Sequence, residues 1–191
     1  MHTNLIQVIS AMIRLYEGES DIILTLFREK NYAKGDFFLK EGQVCKEVGF
    51  IDQGLVRYFS NQDGVEQIYD FGKENDFVCN YESFLDHSVS TKNIQAIEDS
   101  RLLTISYQNL QLLYQQVKEG QKFGRLACEH IFVDAIRKIT ARYTLAPEQR
   151  YLQFLAAYPD LLQRIPQYYI SSFVGVKPPS LSRIRKRLSS S

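Results

Sequence analysis

Between Lys177 and Leu188 the chain reads KPPSLSRIRKRL, where Lys177, Arg183, Arg185, Lys186 and Arg187 accompany the hydroxyls of Ser180 and Ser182. None of these groups is a nucleophile set beside a base. Their chemistry is anion and base-edge recognition: a guanidinium is a planar fork that matches O6 and N7 of guanine, while ammonium groups and hydroxyls meet phosphate. Wound as a helix with Leu181 at 0°, Ile184 and Leu188 fall within about 60° of it. Pro179, Ser182, Arg183 and Lys186 then gather on the far side, flanked by Ser180 and Arg187. The outward face is small at its start and basic along its length. Its candidate DNA-contacting residues are Ser180, Ser182, Arg183, Lys186 and Arg187.

The rest of the chain supplies few reactive groups. The only histidines are His2, His87 and His130, so the clustered ligands of a metal enzyme on a cupin-like barrel are lacking, and neither a catalytic nor a metal-binding residue is assigned. Cys45, Cys79 and Cys128 lie far apart in sequence with no C-x-x-C spacing, which reads as reduced core or surface thiols. His130 falls among apolar residues and reads as a packed histidine.

Charge is segregated along the chain. The formal net charge is +1, yet no acid follows Asp160 while six bases do, leaving 17 bases against 22 acids in the first 160 residues. A basic end on an acidic body points to a polyanion, either nucleic acid or a membrane surface. A membrane-surface helix sets Trp, Phe or Leu opposite its cations and needs no turn before it. Here QYYISSFVGV (167–176) precedes the basic run, with Ile170 and Val174 spaced as one helix face, Gly175 as a tight turn, and Leu181 and Ile184 packing the next helix back. This is helix-turn-helix spacing.

The 191 residues, 45% apolar, suffice for one full core and a small satellite. No apolar run reaches membrane-spanning length and no signal peptide is evident, so a cytoplasmic protein without a membrane partner is expected. Six of the ten glycines (Gly35, Gly42, Gly49, Gly54, Gly64, Gly72) fall between residues 35 and 72 and read as turns between strands in DFFL, VGFI, LVRYF and QIYDF. TKNIQAIEDSRLLTIS adds two strands about the turn Glu98-Asp99. Helices are expected over 3–15 and 20–28, after the N-cap Ser106, over 119–145, and from Pro147 to just before Pro166. The helix over 119–145 is apolar on two sides: Phe123, Leu126, Ala127, His130 and Val133 on one, Cys128, Phe132, Ala135, Ile136, Ile139 and Tyr143 nearly opposite. One side fits the β domain and the other the same helix of a second subunit, predicting a homodimer through 119–145.

Together these segments resemble the Crp/Fnr transcription regulators. The resemblance spans about residues 20–188 and rests on KGDFFLKEG (34–42), IDQGLVRYFSNQDGVEQIYDF (51–71), NDFV (75–78), IQAIEDSRLLTIS (94–106) and YYISSFVGVKPPSLSRIRKRL (168–188). It implies an α+β fold: an N-terminal, jelly-roll-like β-roll of the cyclic-nucleotide-binding type flanked by helices over 1–118, a long dimerisation helix over 119–145, and a C-terminal helix-turn-helix over 146–191. The last part is winged-helix-like, though no wing is evident. It also implies double-stranded DNA bearing an inverted repeat as partner, and RNA polymerase. Arg183 corresponds to the family's base-reading arginine, Ser180 to a phosphate-contacting hydroxyl, and Lys177 to the residue before the recognition helix, which the resemblance adds to the candidate DNA contacts.

The departures bear on the effector. Where cAMP-binding members hold ribose with Gly-Glu and the cyclic phosphate with Arg-Ser, this chain has Cys79-Asn80 and Ser90-Thr91. Losing charged hydrogen bonds of about 1.5 to 3 kcal/mol each predicts that cAMP is not the effector. Asn80, Ser90 and Thr91 line a pocket for another small molecule, or the roll is empty. Three cysteines cannot supply the four thiolates of an iron-sulfur cluster, a haem sensor would draw on His87 or Cys79, and no cofactor is expected. Pro178-Pro179 replaces polar residues that many members place at the start of the reader. The alternative function is a small-molecule-sensing module of this β-roll type without DNA binding.

Overall fold

The computed structural model of the chain describes residues 3–189. The chain divides into two compact units: residues up to Ser60 with Phe71–His130, and Asn61–Asp70 with Ile131 onward.

The first unit opens with helices α1 (Thr3–Met12) and α2 (Glu19–Leu26), followed by strands β1 (Arg28–Tyr32), β2 (Phe37–Leu39), β3 (Glu47–Gln53), β4 (Val56–Gln62), β5 (Val65–Gly72) and β6 (Phe77–Val78). After helix α3 (Tyr81–Asp86) come β7 (Asn93–Ala96), β8 (Ser100–Ser106) and helix α4 (Tyr107–Gln116). Two four-stranded sheets result, ordered β1-β8-β3-β6 and β2-β7-β4-β5. Between them sits a core that includes Phe50, Ile51, Ile94, Leu102 and Leu103, joined by Leu5 and Ile9 of α1, Ile23 of α2 and Leu113 of α4. Ser106 caps α4 by accepting from the Asn109 N–H at 3.2 Å, as its sequence position implies.

The strand pattern follows the glycines only in part. Gly35, Gly42, Gly54 and Gly64 have positive φ and make turns, whereas Gly49 lies inside β3, where an added Cβ would stand 2.8 Å from Val78 Cγ1. Gly72 likewise belongs to β5 and not to a turn. Gly49 serves close approach of the strands. Strand β1, REKNY, carries no apolar run and was not expected; it forms the sheet edge on β8, where charged side chains are tolerated and discourage further pairing. Glu19 is buried and accepts from the backbone N–H groups of Tyr16 at 2.8 Å and Lys118 at 2.7 Å, tying the start of α2 to the segment after α4.

Helix α5 (Gly120–Thr144) continues from the first unit into the second. Its beginning is buried through Phe123 and Gly124, with Leu126 packed against the same core, while the side expected to meet a second subunit is exposed in the single chain. His130 is exposed and not packed in the single chain, because the covering of that side ends with Phe123, Leu126 and Ala127.

In the second unit α5 is followed by α6 (Pro147–Ala157), α7 (Leu161–Arg164), α8 (Gln167–Val174) and α9 (Pro178–Ser189). The single helix expected from Pro147 to Pro166 is two: Tyr158, which precedes Pro159, sits at φ −133°, ψ 62°, outside the helical region that a following proline disfavours. No strand lies between α6 and α9 among the described residues, so no wing precedes the helix-turn-helix.

Candidate nucleic-acid interface

The basic helix is held by a small core of its own. Tyr151 and Phe154 of α6, Leu161 of α7, Ile165, Ile170 and Val174 of α8, and Leu181 and Ile184 of α9 are buried. The rings of Phe154, Tyr158 and Phe173 pack with centroids 5.5 to 6.1 Å apart. Burying Ile170, Val174, Leu181 and Ile184 turns one side of α9 inward and leaves the opposite side to solvent.

Gly175 sets the angle between α8 and α9. It ends α8 in the left-handed region at φ 75°, ψ 41°, and the Val176 N–H bonds back to Ser171 O at 2.9 Å, the closure of a Schellman motif. Arg150 completes this end: its Nε donates to Val174 O at 2.8 Å and its Nη1 to Leu145 O at 2.7 Å. One guanidinium thus satisfies carbonyls at the ends of two helices. Arg150→Ala is therefore expected to lower the stability of this unit by about 1.5 to 3 kcal/mol, seen as an earlier thermal transition.

Helix α9 starts on two prolines whose missing N–H groups would have no intrahelical partner in a first turn. The Ser180 and Leu181 N–H groups close that turn on Lys177 O at 2.9 and 3.2 Å. Lys177, Ser182, Arg183, Lys186 and Arg187 are exposed and Ser180 is half-buried, so the candidate contacts are brought together on one surface. Ser182 Oγ bonds back to Pro178 O at 3.2 Å. Arg187 pairs with Glu148 at 3.1 Å, an exposed ion pair of the kind worth about 0 to 1 kcal/mol and readily exchanged for a phosphate. The Arg183 side chain meets no partner among the described residues and is available to a ligand.

The tip of the β4–β5 hairpin belongs to this unit. The Ile68 N–H donates to Ser172 Oγ at 2.9 Å, and that hydroxyl lies 3.2 Å from Glu66 O as donor. Asp70 accepts from Lys138 Nζ at 2.7 Å and from the Tyr158 hydroxyl at 2.8 Å. Burial works to lower the Lys138 pKa, but the carboxylates of Asp70 and Asp134 outweigh it and hold the ammonium above its usual range. The sequence reading missed Arg150, Ser172, Lys138 and Asp70. Only the chain's three-dimensional return brings the hairpin to α8, and nothing in local spacing signals it.

The effector-pocket candidates meet in the first unit, but largely with one another. Asn80 Nδ2 donates to Ser90 Oγ at 2.7 Å, and Ser90 Oγ donates to Lys92 O at 2.8 Å while accepting from the Lys92 N–H at 3.0 Å. Asn80 and Ser90 are buried and Thr91 is exposed at the rim. The cavity they line is about 40 Å³, against the roughly 300 Å³ at which ligand pockets begin. His87 stacks edge-on against Tyr107 with centroids 5.0 Å apart. Among the described residues no cluster of three or more His, Cys, Asp or Glu forms, and no helix is long and apolar enough to cross a membrane.

Comparison with known proteins agrees with this architecture. Residues 29–117 match the family model of the cyclic nucleotide-binding domain. A search of curated proteins gave no match. Among solved structures, the c-di-GMP-responsive global regulator CLP of Xanthomonas campestris superposes with a TM-score of 0.69 at 17% identity, covering 92% of each chain. The catabolite activator protein of Thermus thermophilus superposes with a TM-score of 0.59 at 18% identity, over 96% of this chain and 87% of its own. A transcriptional regulator assigned to the Crp/Fnr family from Eubacterium rectale superposes with a TM-score of 0.69 at 15% identity, over 92% of this chain and 84% of its own. Residues 29–117 are thus a cyclic nucleotide-binding domain, carried in a chain that has the fold of the Crp/Fnr transcription regulators.

Proposed function

We propose that the chain is a dimeric, sequence-specific DNA-binding transcription regulator of the Crp/Fnr type that works in the cytoplasm and does not respond to cAMP. Residues 1–118 form the sensing domain, 119–145 the dimer helix, and 146–191 the reader. The observation that carries the reading is the exposed face of α9, where Ser182, Arg183 and Lys186 stand outward behind a Gly175-capped helix. Small residues at the start of such a helix allow close approach to a major groove, and the cations beyond them suit base edges and phosphate. RNA polymerase is the partner such a regulator implies.

Dimerisation is supported by a stripe on α5. Phe132, Ile136, Ile139 and Tyr143 are exposed in the single chain, Phe132 at 67% and Tyr143 at 86%. At about 100° per residue they lie within roughly 60° of one another, opposite Phe123. Large apolar side chains in one line mark an interaction surface, and a second copy of the same helix is its self-complementary occupant. Selection of genomic fragments by the purified protein should return an inverted repeat with half-sites about 10 bp apart or a multiple of it. A single unrepeated half-site would count against the dimer.

The effector site yields a separate expectation. No arginine stands at Ser90 and the neighbouring polar groups are paired with each other, so calorimetry with cAMP should give no binding at about 100 µM and no change in DNA affinity. A micromolar dissociation constant would show that Ser90-Thr91 is not the phosphate position.

A further inference from the structure

Cys45 and Cys79 are 34 residues apart in sequence, yet their sulfurs lie 3.8 Å apart. Cys45 sits just before β3 and Cys79 just after β6. We propose that this pair is an oxidisable dithiol whose substrate is a hydroperoxide, with Cys45 as the attacking sulfur and Cys79 as the resolving one.

The surroundings distinguish the two thiols. The Cys45 thiol donates to Glu47 O at 3.4 Å, its backbone N–H donates to Ser83 Oγ at 2.9 Å, and the residue, itself buried, lies in the wall of a cavity of about 500 Å³ lined also by Phe38, Val44, Lys46 and Glu47. That cavity is roomy enough for a small peroxide. The hydrogen bond from the Cys79 thiol, helped by the Asn80 backbone and opposed by burial, brings the Cys45 thiol down to about 7. Burial pushes the Cys79 thiol up, so Cys45 is the sulfur that gives up its proton first. The thiolate is the nucleophilic form. Cys128 differs: it is exposed, and among the described residues its sulfur has a hydrogen-bond contact with the Tyr81 hydroxyl at 3.5 Å.

The chemistry balances with the peroxide as oxidant. The Cys45 thiolate attacks one peroxide oxygen, the O–O bond breaks, and the other oxygen leaves as an alcohol, or as water from hydrogen peroxide, after taking a proton; Cys45 becomes a sulfenic acid. Cys79 sulfur then attacks Cys45 sulfur, the S–O bond breaks, and water leaves with the Cys79 proton. Two thiols have lost two electrons and two protons, and one peroxide has been reduced. The sulfurs must close from 3.8 Å to the roughly 2.0 Å of a disulfide bond.

The test is to titrate the full-length reduced protein with hydrogen peroxide, denature it, block free thiols with N-ethylmaleimide and map the peptides by mass spectrometry. Cys45 and Cys79 should be lost together as one linked peptide that dithiothreitol restores, with Cys128 still blocked by the reagent. Cys79→Ser should strand Cys45 as a sulfenic acid that dimedone traps. Cys45→Ser should slow oxidation of Cys79 at least about tenfold. The proposal is overturned if Cys45 and Cys79 both stay reduced at peroxide doses that oxidise Cys128, or if Cys79 in Cys45→Ser reacts as fast as in the parent. The wild-type and Cys128→Ser proteins give the first readout even where a pocket variant fails to fold.

Discussion

Ile136→Glu is expected to convert the protein to monomers and to abolish tight binding to an inverted repeat. Ile136 lies mid-stripe between Phe132 and Ile139 on α5, so a two-fold seam there buries it in both subunits. Ile136 is 47% exposed in the single chain, so removing the exposed half of two isoleucines from water contributes roughly 1.5 to 3 kcal/mol to a dimer, which raises the dimer dissociation constant by about 10 to 10² when lost. Two facing carboxylates add repulsion. The DNA effect follows from the dimer effect, because one reader on one half-site forfeits the effective concentration that a linked second reader enjoys. Sedimentation at micromolar protein checks the first step. A variant that stays dimeric would place the seam on another surface.

The second large effect concerns the reader. Arg183 is central on the exposed face of α9 and has a guanidinium with no protein partner among the described residues, whereas Arg187 sits at the edge in an ion pair with Glu148. Arg183→Ala should cost about 1 to 3 kcal/mol per half-site and flatten preference at one base pair in each. Arg187→Ala should weaken binding to all sequences alike and make the slope of log affinity against log salt shallower by about 1 per subunit. Titrating both variants against selected and scrambled duplexes at several salt concentrations separates the two jobs. If Arg183→Ala weakens both duplexes equally, its contact is to phosphate alone.

The parts of this fold that were legible in the sequence are the local ones. Ile170, Val174, Leu181 and Ile184 announce their burial because a helix-turn-helix is built from residues within about two helical turns of a glycine, and all four are buried. The strands of VGFI and RLLTI were legible for the same reason, as apolar runs bounded by turns. Strand β1 was not, since REKNY is defined by its pairing with β8, more than 60 residues away. Gly49 was misjudged as a turn because its role is set by Val78 on a neighbouring strand. His130 was misjudged because helical periodicity reports which residues share a face and not whether anything covers it. The break at Tyr158 was written in Pro159, and the apolar spacing on either side concealed it. At the candidate site the cationic face of α9 was readable residue by residue. The supporting contacts of Arg150, Asp70 and Ser172, and the meeting of Cys45 with Cys79, depend on chain crossings that spacing does not encode.

The central claim is that α9 reads sequence. The direct measurement is the ratio of dissociation constants of the wild-type protein for its selected inverted repeat and for a scrambled duplex of the same length and composition, at one physiological salt concentration. A specific regulator should bind the selected duplex at least about 10³-fold more tightly. Equal affinity for the two duplexes, falling in parallel as salt rises, would contradict the account and leave α9 as a basic surface that meets DNA through phosphate alone.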